Sequence, residues 1–255
     1  MLFIYLNFGF YFQVGEPLTA TWPQIRTTTT PSPALIIQQQ FQFSDAAASG
    51  NITSLQQLLS LGYLNVNWND ARSREDCSWQ LSNMTALHRA AACNRSQDII
   101  DLLVNNGADV NVGESIHGKR PLFLSAGNGN NNLVYILLNN GAMINARDNY
   151  GSTALIYAAT SGHSDTVDLL LDRGCFIDAQ ASPNGQTALM TASSNGHTNV
   201  VAKLLARGAN VNLRDSQGRT ALMLASGNGH TGCVRLLIEY GADIPGCSSG
   251  LCRLN

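Results

Sequence analysis

Five histidines, six cysteines and seventeen carboxylates are the side chains of this chain suited to proton transfer, electron transfer or metal binding. His163, His197 and His230 would serve acid–base work or ligation, yet they stand 34 and then 33 residues apart, each directly after a glycine. His88 lies in a Thr-Ala-Leu-His run, which leaves only His117 unassigned. One histidine with no carboxylate or thiol at motif spacing does not make a site. Cys77, Cys93, Cys175, Cys233, Cys247 and Cys252 form no CxxC pair and match no zinc or disulfide framework. Cys93, Cys175 and Cys233 read as free thiols acting as small apolar residues, which points to a reducing compartment, and only Cys247 and Cys252 are close enough in sequence to suggest a bridge. The glycines are periodic rather than clustered into a phosphate loop, and no GxSxG elbow occurs. The reading is of a protein that is not an enzyme and carries no cofactor or metal.

Composition narrows the partner. Hydrophobic residues make up 44% of the 255 and charged residues only 13%, with a net charge of −2. The sequence pI is about 6.2. Only Lys119 and Lys203 are lysines, and no polybasic run is present, so neither nucleic acid nor an acidic membrane surface is drawn to the chain. The first fourteen residues, MLFIYLNFGFYFQV, are apolar but shorter than the ~20 residues a spanning helix needs. They also lack the basic start and small-residue cleavage site of a signal peptide. Residues 1–40 are therefore expected to be a disordered tail, apolar and then Thr/Pro-rich, on a cytoplasmic or nuclear protein. TTTTPSP (27–33) reads as a non-helical linker within it.

The elements that would position any site emerge from self-similarity. Ala86-Leu87, Pro121-Leu122, Ala154-Leu155, Ala188-Leu189 and Ala221-Leu222 recur at steps of 35, 33, 34 and 33. Gly62, Gly107, Gly141, Gly174, Gly208 and Gly241 give a second ruler, with steps of 45, 34, 33, 34 and 33. Within each unit Thr85, Thr153, Thr187 or Thr220 stands where a hydroxyl caps a starting helix, and unit three has Arg120 there instead. A short apolar helix follows, then a second with a Leu pair such as Leu103 or Leu204 with its neighbour, then a left-handed glycine and a turn. Helices this short are marginal alone. Each must stack on its neighbours, and stability becomes a sum of nearest-neighbour terms.

TALHRAA (85–91) and GHTNVVAKLLARGANVN (196–212) resemble the ankyrin repeat signature. The resemblance covers residues 41–250, about six repeats, with 251–255 as a C-terminal tail. It implies an all-α ankyrin-repeat solenoid of helix-turn-helix units with β-hairpin-like turns. Two departures stand out: the first unit (43–67) has no Thr cap, and Asn94 replaces the mid-repeat glycine of unit two. The histidines after that glycine are implied to bond backbone between repeats.

The same resemblance implies a protein-interaction scaffold or regulator, bound through the turn tips and a concave groove. Carried over position by position, the partner-binding set is His117, Lys119, Arg147, Tyr150, Ser152, Thr160, Asn184, Gln186, Arg214, Gln217 and Arg219. Arg and Tyr favour energetic hot spots, and the basic turn edge suits another protein or an extended, acidic peptide. An insertion at residues 68–84 adds Trp79 as a further anchor. Asn111, in a Leu-x5-Asp-Val-Asn context, matches the family's hydroxylation site. Two other readings stay open. The LCRL stretch (251–254) resembles part of a suppressor-of-cytokine-signalling box, hence a ubiquitin-ligase substrate receptor. The apolar last helix, CVRLLIEYGADI (233–244), suggests self-association or a piece of a larger multidomain or membrane protein.

Overall fold

A computed structural model describes residues 31–72 and 83–244. Contacts divide the chain into a unit over residues 1–32 and one over residues 33–255 that holds every described helix. Trp79, Cys77, Cys247, Cys252, the LCRL stretch and the apolar N-terminal segment lie outside the described residues.

Twelve helices form six pairs and no extended strand occurs among the described residues, as the all-α solenoid requires. The first helix of each pair is α1 (Pro33–Ser49), α3 (Ala86–Ala92), α5 (Pro121–Gly127), α7 (Ala154–Ser161), α9 (Ala188–Ser194) or α11 (Ala221–Gly227). The second is α2 (Ile52–Leu59), α4 (Gln97–Asn105), α6 (Asn131–Asn139), α8 (Ser164–Asp172), α10 (Thr198–Ala206) or α12 (Thr231–Glu239). First helices pack on first helices and second on second, so the core runs continuously along the stack.

Local chemistry explains each unit. Thr85, Thr153, Thr187 and Thr220 accept from the third helical amide, and Pro121 opens α5, where a missing N–H costs nothing. Arg120 provides no cap and instead donates to the Asn111 carbonyl. One leucine of each pair (Leu103, Leu137, Leu170, Leu204 and Leu237) is wholly buried, worth about 1.5–3 kcal/mol apiece. In the turns, Asn67 and Asn111 hold the next repeat with both ends of the amide: Asn111 Oδ1 accepts from Met143 N at 2.8 Å while Nδ2 donates to Gly141 O at 2.9 Å. Asn212 repeats the pattern. Asp178 stands at that position one repeat earlier and can only accept, from Asn210 N at 3.0 Å.

The start of the stack corrects the expected boundary. Residues 33–40 are not a tail but the first part of α1, a 17-residue helix. Pro33 sets its first turn, and Gln40, 4% exposed, pins it to the turn beyond α2 by donating to Asn65 O at 2.8 Å and accepting from Asn65 N at 3.0 Å. The Gln-rich composition concealed this anchor. Asp70 N bonds Met84 O at 2.9 Å, closing the feet of the insertion on each other. Asp70 is buried and meets Arg72 at 2.5 Å and Arg89 at 3.1 Å, both of which also reach Asp45. Burial would raise the Asp70 pKa, but hydrogen bonds from Arg72 outweigh it and hold the carboxyl below the usual range. Cys175 and Cys233 are free, whereas Cys93 is disulfide-bonded and so is not the free thiol read from its spacing. That bond removes the support for a reducing compartment.

The mid-repeat histidines bond across repeats as the resemblance implies: Nε2 of His163, His197 and His230 meets the carbonyls of Gly127, Thr160 and Ser194 at 2.9–3.0 Å. Each ring also abuts the preceding repeat's glycine. A Cβ on Gly129, Gly162 or Gly196 would sit 2.6–2.7 Å from the next Nδ1. Asn94 cannot receive such a ring because it has that Cβ, and the next repeat accordingly carries Asn130, whose Nδ2 donates to Asn94 Oδ1. Two departures from the pattern are therefore one paired exchange.

Candidate functional site

The turn edge is built from buried acids outward. Glu114, Asp148 and Asp215 each fold a turn around a carboxylate that accepts backbone N–H groups. Glu114 takes those of Ile116 at 2.8 Å and His117. Asp148 takes Tyr150 and Ser152 at 2.9 and 2.8 Å. Asp215 takes Gln217 and Arg219 at 2.9 and 2.8 Å. Successive turns are zipped by main chain. Asn149 N donates to His117 O at 2.8 Å, Ser182 N to Tyr150 O at 2.7 Å, and Ser216 N to Asn184 O at 2.9 Å. The tips are thus held in one fixed register.

Several expected binding residues are occupied by this scaffolding. Arg147 donates to Gly151 O and Gln180 O, Arg214 to Gly218 O, and Arg219 pairs with Asp215 at 2.8 Å. Thr160 donates its hydroxyl to Ile156 O, and its carbonyl receives Asn195 and His197. The carbonyls of Ser152, Asn184 and Gln186 all accept turn amides. Gln217 is exposed on the last turn. Asn128, Asn195 and Asn228 likewise donate to carbonyls of the repeat before.

What converges lies between the third and fourth repeats. The His117 ring, 3.1 Å from Glu114 through Nδ1, tilts toward Tyr150 with centroids 6.0 Å apart. Tyr150 and Ile116 are each 51% exposed, and Asn149 Nδ2 fastens the Ile116 carbonyl at 3.0 Å. Behind them Lys119 Nζ stands 5.8 Å from the Tyr157 ring centroid, with burial pushing its pKa down. Tyr157 stacks on Phe123 at 5.6 Å and donates its hydroxyl to Asp148 at 2.7 Å. Burial, then that carboxylate, raises its pKa. Sequence reasoning missed Ile116 and Tyr157. Tyr157 falls four residues after the capping Thr, where other units carry Arg89, Thr191 and Leu224, and this variability was the available signal.

Among the described residues no group of three His, Cys, Asp or Glu side chains could hold a metal ion, and no helix is long and apolar enough to cross a membrane. Stacked helix pairs with zipped turns and inter-repeat histidines define a helical-repeat solenoid. A family model for ankyrin repeats in three copies matches residues 112–181 and 176–245, and a single-repeat model matches residues 82–114. The chain belongs to the ankyrin repeat family, whose members are generally non-enzymatic protein-interaction modules. A comparison with curated proteins gave no match.

Proposed function

We propose that the chain is a scaffold or regulator that captures an extended segment of another protein on the turn edge between its third and fourth repeats. The observation that carries this reading is the pairing of half-exposed Ile116 and Tyr150 on tips locked in register by Asn149. Preorganised aromatic and apolar tips lose little entropy on binding, which is the usual property of a hot spot. Lys119 adds a partly desolvated cation beside Tyr157, so an acidic residue of the partner flanking an apolar one fits best. Arg147, Arg214 and Arg219 contribute field and turn shape rather than direct grip, because their guanidinium groups hold the turns. Quantitative capture with the full chain tests this. Tyr150→Ala with Ile116→Ser should weaken a captured partner by about 30-fold or more at unchanged thermal stability, since a hot-spot residue is worth ~2 kcal/mol. An affinity within twofold of wild type would remove this edge from the account.

Asn111 hydroxylation belongs to the same proposal. Its amide is engaged at both ends, so a hydroxylase acts on it only when the turn opens. Peptide mass analysis should find an added oxygen on Asn111 and none on Asn212, where the preceding acid is missing.

A further inference from the structure

The second repeat passes from its first helix to its second differently from all the others. Twenty-two residues separate Thr85 from Gly107, against twenty-one from Thr153 to Gly174, Thr187 to Gly208 and Thr220 to Gly241. The extra residue enters the turn between α3 and α4. There Arg95 takes the place in which His163, His197 and His230 bond to the preceding repeat. Arg95 packs its stem on that repeat, with Cδ 3.4 Å from a Cβ built on Gly50, but its guanidinium makes no hydrogen bond or ion pair with the described residues. Its Nε is buried without a partner. Every other described arginine that is not largely exposed has a hydrogen bond or an ion pair: Arg72, Arg89, Arg120, Arg173 and Arg219. Asp45, the nearby carboxylate, is already taken by Arg72 and Arg89.

Beside Arg95 opens a cavity of about 440 Å³ between the leading turns of α4 and α6, at the end of the helices opposite the turn tips. The exchange of histidine for the shorter Asn130 leaves that space. Its polar lining is Arg95 and Ser96 with the amide side chains of Asn94, Gln97 and Asn130 to Asn132, and it includes no carboxylate in a chain of net charge −2. Ser96 makes no cap bond with its hydroxyl. A half-buried guanidinium whose Nε is buried and unpaired, walled on this side by neutral amides and a free hydroxyl, is matched by an oxyanion with several terminal oxygens, which Arg grips in bidentate fashion. We propose that this cavity is a phosphate-binding site, centred on Arg95 and separate from the turn edge proposed to bind protein. The group it takes is either free phosphate or a phosphorylated side chain of a partner.

The test follows arginine Nε–H resonances by NMR in the full chain during titration with inorganic phosphate and, separately, with a capped phosphoserine dipeptide. The resonance lost in Arg95→Met should shift saturably, and that variant should bind at least tenfold more weakly with no fall in Tm. Asn132→Asp, which puts a carboxylate on the rim without touching Arg95, should weaken binding to a similar degree and covers the case in which Arg95→Met fails to fold. Saturation by the dipeptide but not by phosphate assigns a modified partner side chain, and the reverse assigns free phosphate. A shift with neither probe, or equal binding by wild type and Asn132→Asp, overturns the site.

Discussion

His88 shows how a single ring ties a repeat to a proton balance. It is fully buried, its Nδ1 lies 2.8 Å from Thr85 Oγ1 and its Nε2 3.0 Å from the Lys119 carbonyl, and burial pushes its pKa down to about 4. The folded value lies below the ordinary 6.5, so the unfolded chain binds the proton more readily. The stability His88 contributes is complete above pH 6.5 and drains as pH falls toward 4, by about 2–3 kcal/mol. Denaturant titrations at pH 7 and 4.5 should show that loss in wild type and a smaller one in His88→Gln. Asp70, whose pKa is also lowered, adds a loss of the same sign only in more acid solution. Asp178 permits the opposite kind of change. Replacing it with Asn supplies the Nδ2 donor that Asn111 and Asn212 give to the next glycine carbonyl, and should raise stability by ~1 kcal/mol at neutral pH. Calorimetry of Asp178→Asn checks it, and a lowered Tm would mean the carboxylate's grip on Asn210 N is worth more than the new bond.

Between elements, the coupling of one repeat's glycine to the next repeat's histidine is the testable joint. Asn130→His should drive a ring against the Asn94 Cβ and cost about 1–3 kcal/mol. Asn94→Gly alone loses the bond to Asn130 and leaves space. The double variant recreates the joint seen at Gly162 and His197, so the cycle should show a coupling of about 1–3 kcal/mol of restoring sign. Additive effects would deny that the two positions answer each other. The elements themselves were legible because five helix-opening dipeptides, four Thr caps and the closing glycines from Gly107 to Gly241 keep one period, and they place every helix after the first pair. The helix α1 was not legible as far back as Pro33. Its holding contact is a buried glutamine paired with a main-chain unit 25 residues away, and neither hydrophobic period nor capping chemistry signals that.

For the whole molecule, the stack is a row of joints with unequal reinforcement. The Asp45–Asp70–Arg72–Arg89 group binds α1, the foot of the insertion and α3, and removing one buried partner leaves the others uncompensated. Asp70→Asn should therefore release the first repeat ahead of the rest. Hydrogen exchange should show faster exchange across α1 and α2 with α7 to α12 unchanged, and a uniform effect would argue against repeat-by-repeat stability. The candidate binding edge was half legible. The sequence marked His117, Lys119 and Tyr150 by position, but could not reveal that the arginines beside them spend their charge on turn carbonyls, or that Ile116 is fastened outward. The joint of Asn94 with Asn130 reaches further than stability. Arrays of near-identical units grow and shrink when copies misalign during recombination, and most boundaries here would tolerate that, because each glycine welcomes any incoming histidine. A crossover falling between the second and third repeats would instead unite an asparagine with a histidine, or a glycine with an asparagine. Those two repeats are therefore inherited most stably as a block, unlike the repeats that follow, which share one glycine–histidine joint.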